Sequence, residues 1–390
     1  MFSPPLGGSN NIRVRDDFLF MRIAILASNV IRLPPSPEYI PQGYSGAPEH
    51  ITSVLSESLI KRGYDVTLFA SGDSQTSSRL VSVTTKSTSM DPNIGMDHHM
   101  DYENLLVSRC YEMACKNEFD LIHSMMDTRS FMFAPFTSVP TVCTLHSPLI
   151  TIRKDLLSRY PNAQWYVSIS NSQRIPLPHL RYAGTVYHGI DITAFSLGDG
   201  KEGYYLFVGR MVENKGIQAA IDATKEAHVS LYLLGEPIEH DTYWSDHVAP
   251  FIDDTNVKHE GFVEKEKLIA YYQQATALLF PIQWEEPFGL VMVEAMACGT
   301  PVIAYNRGSV PEIVRDGVTG FIIDPNDEPR PGKGTWTIKK QGIDGLVEAI
   351  GRIGEIDRKA CRRHVEEHFT VEKMVDGYEE VYREIMNNAQ

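Results

Sequence analysis

An α/β protein made of two doubly wound parallel sheets in tandem is the fold class that this sequence predicts. Three observations predict it. The chain has 390 residues, 43% hydrophobic and 22% charged, which is globular composition and too long for one ordinary domain, so two domains with separate cores are expected. Short apolar runs rich in β-branched residues alternate with helical periodicity along nearly the whole length. A polar, glycine-rich stretch without periodicity, "TAFSLGDGKEG", divides two such series near the middle.

Residues 1–20 carry no such pattern and read as an appendage. At Met21 the chain changes to "RIAILAS", an apolar run of the kind that forms a parallel strand buried on both faces. After a proline-rich loop, "PEHITSVLSESLIKRG" places Ile51, Val54, Leu55, Leu59 and Arg62 on one helical stripe, with Pro48 in the first turn and Gly63 as the C-terminal cap. "YDVTLFA" closes a βαβ unit, and "LIHSM", "TVCTLHS", "WYVSISN" and "TVYHGID" supply further strands. The first domain is therefore placed at 21–191 and the linker at 192–203.

The second series fills 204–370. It runs through strand "YYLFVGR", a helix opened by Lys215, strand "SLYLLGE", strand-like "VKHEGFV", helix "KEKLIAYYQQA", strand "ALLFPI", a helix from "GLVMVEAMA", and strands "PVIAY" and "GFIID". "NDEPRPGKGTWTIKK" (326–340) breaks the pattern and reads as a surface insertion. In the last segment, 371–390, Val371, Met374, Val375, Tyr378, Val381, Tyr382, Ile385 and Met386 form an apolar stripe too wide for a free helix in water. It is expected to pack back across the first domain.

Bulk properties exclude several functions. A formal charge of -14 repels polyanions, which argues against nucleic acid and against adsorption to anionic lipid. The five cysteines are scattered, with no C-x-x-C pair, so neither a disulfide framework nor a zinc site is expected. No run of 18 apolar residues exists and the first twenty residues lack the core of a signal peptide, so a soluble cytoplasmic protein is expected. Oligomeric state is left open.

In open α/β sheets ligands sit outside the carboxyl ends of the strands, so the polar residues there are the site candidates. Arg210 follows "YYLFVG", and Lys215 stands five residues on at a helix start. Two cations beside free helix N–H groups make a diphosphate-sized anion site. In the loop after "RIAILAS", Gly43 and Gly46 precede a helix N-terminus, where a missing side chain lets backbone approach phosphate or sugar. His146 ends the strand "TVCTLH", placed to bond a hydroxyl from the facing domain. In "EEPFGLVMVEAMACGTPVIA" two carboxylates, Glu286 and Glu294, flank an apolar Pro-Phe-Gly-Leu turn. A carboxylate on such an apolar helix is costly without partners, and a sugar diol supplies two donors to one carboxylate. No Asp-x-Asp and no His/carboxylate cluster with metal-ligand spacing occurs, so no metal is expected and leaving-group charge falls to Arg210, Lys215 and helix N-termini.

"FVGRMVENKG" followed by "EEPFGLVMVEAMACGTPVIAYNRGSVPEIVRDGVTGFIID" resembles the retaining glycosyltransferases of family 4, the glycosyl transferases group 1, which have the GT-B fold. The resemblance covers nearly all of 21–386. It implies that Glu286 holds sugar hydroxyls of a nucleotide-sugar donor and Glu294 its ribose. By the same resemblance Phe288, Gly289 and Leu290 offer backbone N–H groups, Arg210 and Lys215 neutralise the diphosphate, and His146 touches the sugar near the reacting carbon. Val263, closing "VKHEGFV", is counted with the donor-binding residues, as is Gly46. The family often has two adjacent glycines in the first-domain loop; here Ser45 precedes Gly46, and Pro48 stands where an acid is common.

The implied reaction moves a hexosyl unit with retention from a UDP- or GDP-sugar, without cofactor or metal, to an acceptor that is soluble rather than a membrane lipid. The one basic candidate surface, "TIRKDLLSRYPNAQWY", sets only Arg153, Lys154 and Arg159 against Asp155. Three other readings stay open on the residues: a retaining glycosidase using both carboxylates, which has no use for the cation pair, a nucleotide-sugar epimerase of the same architecture, and a non-catalytic sugar-nucleotide binding module.

Overall fold

The computed structural model describes residues 21–41, 43–239 and 241–388, so the expected appendage at 1–20 lies outside the described residues. The first half of the chain runs β1 (Arg22–Leu26), α1 (Ala47–Lys61), β2 (Asp65–Phe69), β3 (Arg79–Val81), α2 (His99–Ala114), β4 (Leu121–Ser124), β5 (Thr141–Leu145), α3 (Thr151–Ser158), β6 (Trp165–Ser168) and β7 (Tyr182–Thr185). These strands form one parallel seven-stranded sheet in the order β3-β2-β1-β4-β5-β6-β7. Side chains alternate across it as the two-residue period of a strand demands: Ile23 and Ile25 face the core with α1, whereas Ala24 and Leu26 face the core with α2.

The second half runs β8 (Tyr205–Val208), α4 (Ile217–Glu226), β9 (Leu231–Leu234), β10 (Val257–Gly261), α5 (Lys265–Gln274), β11 (Ala277–Phe280), α6 (Leu290–Ala297), β12 (Val302–Tyr305), α7 (Val310–Ile313), β13 (Gly320–Ile323), α8 (Gly342–Arg352), α9 (Arg358–His368) and α10 (Val371–Asn388). Its six strands are also parallel, ordered β10-β9-β8-β11-β12-β13. Strand order reverses between β1 and β4 in one sheet and between β8 and β11 in the other. Each reversal opens a crevice at the carboxyl ends, where the crossovers diverge to opposite faces.

The C-terminal helix returns to the first domain, as its stripe required. Met374, Val375, Tyr378, Val381, Tyr382 and Ile385 of α10 are buried in one cluster with Ile23, Leu55 and Leu68. Buried polar bonds fix its rotation: the His123 ring pairs with Tyr382 Oη at 2.7 Å and Thr144 Oγ1 at 2.8 Å, and Thr144 lies 3.0 Å from Tyr378 Oη. The chain crosses between the halves twice, and the two crossings touch. Ile190 pairs with Thr370, and a Cβ on Gly189 would stand 2.2 Å from the Thr370 carbonyl oxygen.

Several expectations need correction. "TVYHGID" is not a strand over its length: β7 ends at Thr185, because beyond Val186 the backbone leaves the sheet to meet Thr370, so His188 does not end a strand. Lys215 does not open a helix; it ends a short turn (Glu213–Lys215) and Gly216 caps α4. Glu294 is the fifth residue of α6, one turn in, whereas the helix pattern from "GLVMVEAMA" places it two turns in. Edge strand β3 and helix α2, which begins at His99, lie in a stretch where the apolar pattern is weak. The segment 326–340 lies mostly exposed, as expected of a surface insertion, and is anchored where Ile338 is buried, Trp336 Nε1 donates to Asp324 at 3.1 Å and Arg330 reaches Glu285 at 2.9 Å. Phe195, within the expected linker, is buried in the second core.

Candidate active site

The crevices of the two sheets face each other, and their walls come from the loops that follow β1, β4, β5, β8 and β11. A cavity of about 340 Å³ between them is lined by His146, Arg210, Lys215, Glu286, Phe288, Gly289 and Leu290. Seven of the ten residues expected at the site therefore meet in one place. Gly46 lines an adjoining cavity of about 610 Å³ on the first-domain side, and Val263 lines a third of about 890 Å³ beyond β9 and β10, with Arg210 on its wall. Glu294 lines none of the three. Its side chain, on α6, faces α5, where Tyr272 Oη donates to it at 3.0 Å and burial raises its carboxyl above the usual range.

Close backbone approaches set these positions. Gly216 has φ +78°, and a Cβ there would lie 1.8 Å from the Pro281 carbonyl oxygen, so only glycine lets the Lys215 turn rest on the end of β11. Gln283 N donates to Asn214 O at 2.9 Å across the same contact. Gly308 does the equivalent for Glu286, with its φ of +55° and a would-be Cβ 2.3 Å from the Glu286 carbonyl oxygen. Ser309 adds a bond to that oxygen at 2.9 Å and another to Phe288 O at 2.6 Å. Gly289, at φ +84°, starts α6 with no side-chain cap, so the first N–H groups of the helix point into the cavity.

The charged groups meet directly. Lys215 Nζ lies 2.7 Å from Glu286 Oε2, and both side chains are mostly buried. Trp284 Nε1 donates to the same oxygen at 2.8 Å, and its ring lies 4.9 Å from Nζ. Arg210 reaches across the cleft to the Gly43 carbonyl at 2.9 Å.

On the opposite wall, His146 N donates to Asp127 Oδ1 at 2.7 Å, which holds the residue in place, yet both ring nitrogens are buried without a hydrogen-bond partner. Burial keeps this imidazole below its ordinary pKa, opposed by Asp127. It stacks on His188, whose centroid is 5.4 Å away, and His188 packs edge-on to Phe288 at 5.0 Å. Unpaired buried nitrogens are costly, and a ligand hydroxyl would satisfy them.

The residues that sequence reasoning missed are Trp284, Asp127, His188 and Glu312. Trp284 stands two positions before Glu286, and Asp127 follows the end of β4, so the rule used for the other strands would have reached them. Glu312 gave no local signal. Its carboxylate accepts from Asn171 N at 2.7 Å, Ser172 N at 2.8 Å, Asn171 Nδ2 at 3.0 Å and Tyr187 Oη at 2.9 Å, joining α7 to the first domain.

Comparison with known proteins agrees with this geometry. Residues 46–193 match the model of glycosyltransferase family 4, and residues 191–330 match that of the glycosyl transferases group 1. An uncharacterized 41.2 kDa protein of the cps region of Klebsiella pneumoniae is 32% identical over 181 residues, 46% of this chain and 45% of that protein. D-inositol 3-phosphate glycosyltransferase of a Mycobacterium is 32% identical over 36% of each chain. The chain thus spans less than half the length of these two relatives. Spore coat protein SA of Bacillus subtilis is 24% identical over 75% of this chain and 87% of its own.

Among solved structures, sucrose-phosphate synthase of Thermosynechococcus elongatus superposes with a TM-score of 0.72 at 19% identity, covering 94% of this chain and all of that one (100%). The Anabaena protein HepE, in complex with UDP-glucose, gives 0.64 at 18% identity, covering 93% and 99%. These likenesses show the fold. Twin parallel sheets, a C-terminal helix that returns to the first domain, and two family models that together span 46–330 lead to one conclusion: the chain belongs to the family 4, or group 1, glycosyltransferases and has the GT-B fold.

Proposed function

We propose that this glycosyltransferase moves a hexosyl unit, with retention, from a nucleoside diphosphate sugar to a soluble small-molecule or saccharide acceptor, without a metal. The observation that carries the reading is the interdomain cavity that gathers Arg210, Lys215, Glu286 and the α6 N-terminus opposite the unpartnered His146 ring. The diphosphate lies against Arg210, Lys215 and the N–H groups after Gly289, where growing negative charge is stabilised by positive groups already in place. Glu286 turns its carboxylate from Lys215 and Trp284 to sugar hydroxyls, and Glu294 takes the ribose diol.

The bond from the anomeric carbon to phosphate breaks, with its electron pair leaving on the diphosphate. The acceptor hydroxyl forms the new C–O bond on the same face, and its proton passes to the leaving phosphate oxygen. His146 bonds the sugar beside the reacting carbon.

That the cavity under the first-domain loop adjoins the donor cavity, sharing Pro48, His146 and Ser147, supports acceptor entry from that side. Thermal-shift screening with UDP- and GDP-sugars, followed by release of nucleoside diphosphate with and without acceptor, tests the proposal. Release only with acceptor supports it, whereas conversion of the donor without acceptor favours an epimerase.

One observation favours a lipid acceptor instead: Ile150 and Ile152 are 52% and 76% exposed beside Arg153 and Lys154, and Ile150 and Arg153 line the acceptor-side cavity. Against it, Arg159 is paired with Asp155 at 3.0 Å. Sedimentation with anionic vesicles at low salt decides between them.

A further inference from the structure

The acceptor-side cavity has a feature that the donor chemistry leaves unused. Glu49, in the first turn of α1, lines it, and among the described residues no other gives its carboxylate a hydrogen bond or an ion pair. Burial, together with the nearby Glu103 carboxylate, pushes Glu49 up to about 7, with only its own backbone N–H opposing. The neighbouring charges are committed elsewhere. Arg129 lies 3.2 Å from Glu103, which also accepts from Ser28 Oγ at 2.6 Å. Arg153 donates to the Pro148 carbonyl at 3.3 Å, and Arg210 to that of Gly43.

We infer that Glu49 is an acceptor-binding residue, and that the acceptor it selects is an uncharged polyhydroxylated compound, a sugar or a polyol, rather than a phosphorylated or carboxylated one. This rests on the glycosyltransferase reading above and deepens it. The wall holds a carboxylate without a donor from any other described residue and three guanidinium groups that each already hold an acceptor. A diol gives the carboxylate two O–H donors at once and relieves its desolvation. An anion entering the same space meets Glu49 as a like charge and must first detach an arginine from its present partner. Tyr44 and Trp284, on the same wall, offer ring faces to the carbon-bound hydrogens of a sugar. The unpartnered His146 ring, shared by both cavities, marks the inner end, where the reacting hydroxyl arrives.

The test uses the full chain with UDP-glucose and GDP-mannose in parallel. Nucleoside diphosphate release is followed with neutral probes (glucose, maltose, myo-inositol) and charged ones (glucose 6-phosphate, inositol phosphate, malate). Release stimulated by a neutral probe, and less by its charged counterpart, is expected. Glu49→Gln keeps the shape and removes the charge-assisted bonds. It should raise KM for that neutral probe roughly tenfold or more, with kcat much less affected and calorimetric affinity for UDP or GDP retained, which also reports on folding. Preference for the charged probes, an unchanged KM in Glu49→Gln, or no response to any neutral probe from protein that binds UDP or GDP overturns the inference and leaves the donor-site reading standing. Protein that binds neither nucleotide overturns the glycosyltransferase reading itself.

Discussion

Lys215 and Glu286 neutralise each other, so the proposed donor must exchange one partnership for two. In the proposed function phosphate takes the ammonium while sugar hydroxyls take the carboxylate. Because charge on the leaving diphosphate grows in the transition state, Lys215→Ala should lower kcat by more than it lowers affinity for UDP. Steady-state rates set beside calorimetric titration check this, and equal losses in both would remove the assigned role. Glu294 differs, since its carboxylate is spoken for only by Tyr272 Oη. Glu294→Ala is expected to keep the fold and weaken UDP binding roughly ten- to hundredfold; unchanged affinity would place the ribose elsewhere. Lys215 and Glu286 were legible in the sequence because a strand followed by polar residues beyond its carboxyl end is a local pattern, and Glu294 because a carboxylate stands out in an apolar helix. Glu49 and Glu312 were not, because what distinguishes them is set by partners, or the lack of them, more than fifty positions away.

Among the elements, α10 shows how far a pattern reaches. Its apolar stripe shows in the sequence that the helix must dock, but which core receives it depends on the buried His123, Thr144, Tyr378 and Tyr382 bonds, which no periodicity encodes. Strand β3 escaped notice for the opposite reason: three partly exposed residues at a sheet edge leave too short an alternation to read. The docking of α10 has a pH signature. Burial lowers the His123 imidazole from its ordinary 6.5 to about 3. The unfolded chain therefore takes up a proton that the folded chain refuses between those values. This contribution to stability is intact above pH 6.5 and is lost as pH falls toward 3, by up to about 1.4 kcal/mol per pH unit. Thermal melts from pH 7.5 to 5 should fall more steeply for the native chain than for His123→Asn, and parallel slopes would refute the assignment.

For the molecule as a whole, a net charge of -14 confronts a donor that is itself an anion, so productive approach depends on the local field of Arg210, Lys215 and the α6 N-terminus. In the proposed function these groups supply the positive charge that a metal would otherwise supply, and activity is accordingly expected to survive EDTA. Complete loss on chelation, restored by magnesium or manganese, would overturn the phosphate-site assignment. Among the described residues no helix is long and apolar enough to cross a membrane.

Glu312 also has a consequence for timing. Its one carboxylate holds four donors of the first domain, two of them backbone N–H groups, and so ties the two halves together. If the halves separate to discharge product, this contact is a latch that must be undone once per turnover, and its strength sets how long the cleft stays shut. Weakening it should hasten UDP departure even though Glu312 lines neither the donor nor the acceptor cavity. Glu312→Ala is expected to raise the dissociation rate of UDP in stopped-flow measurements several-fold. If release limits the cycle, kcat rises until water begins to compete with the acceptor, and hydrolysis of the donor then marks a cleft that opens too soon.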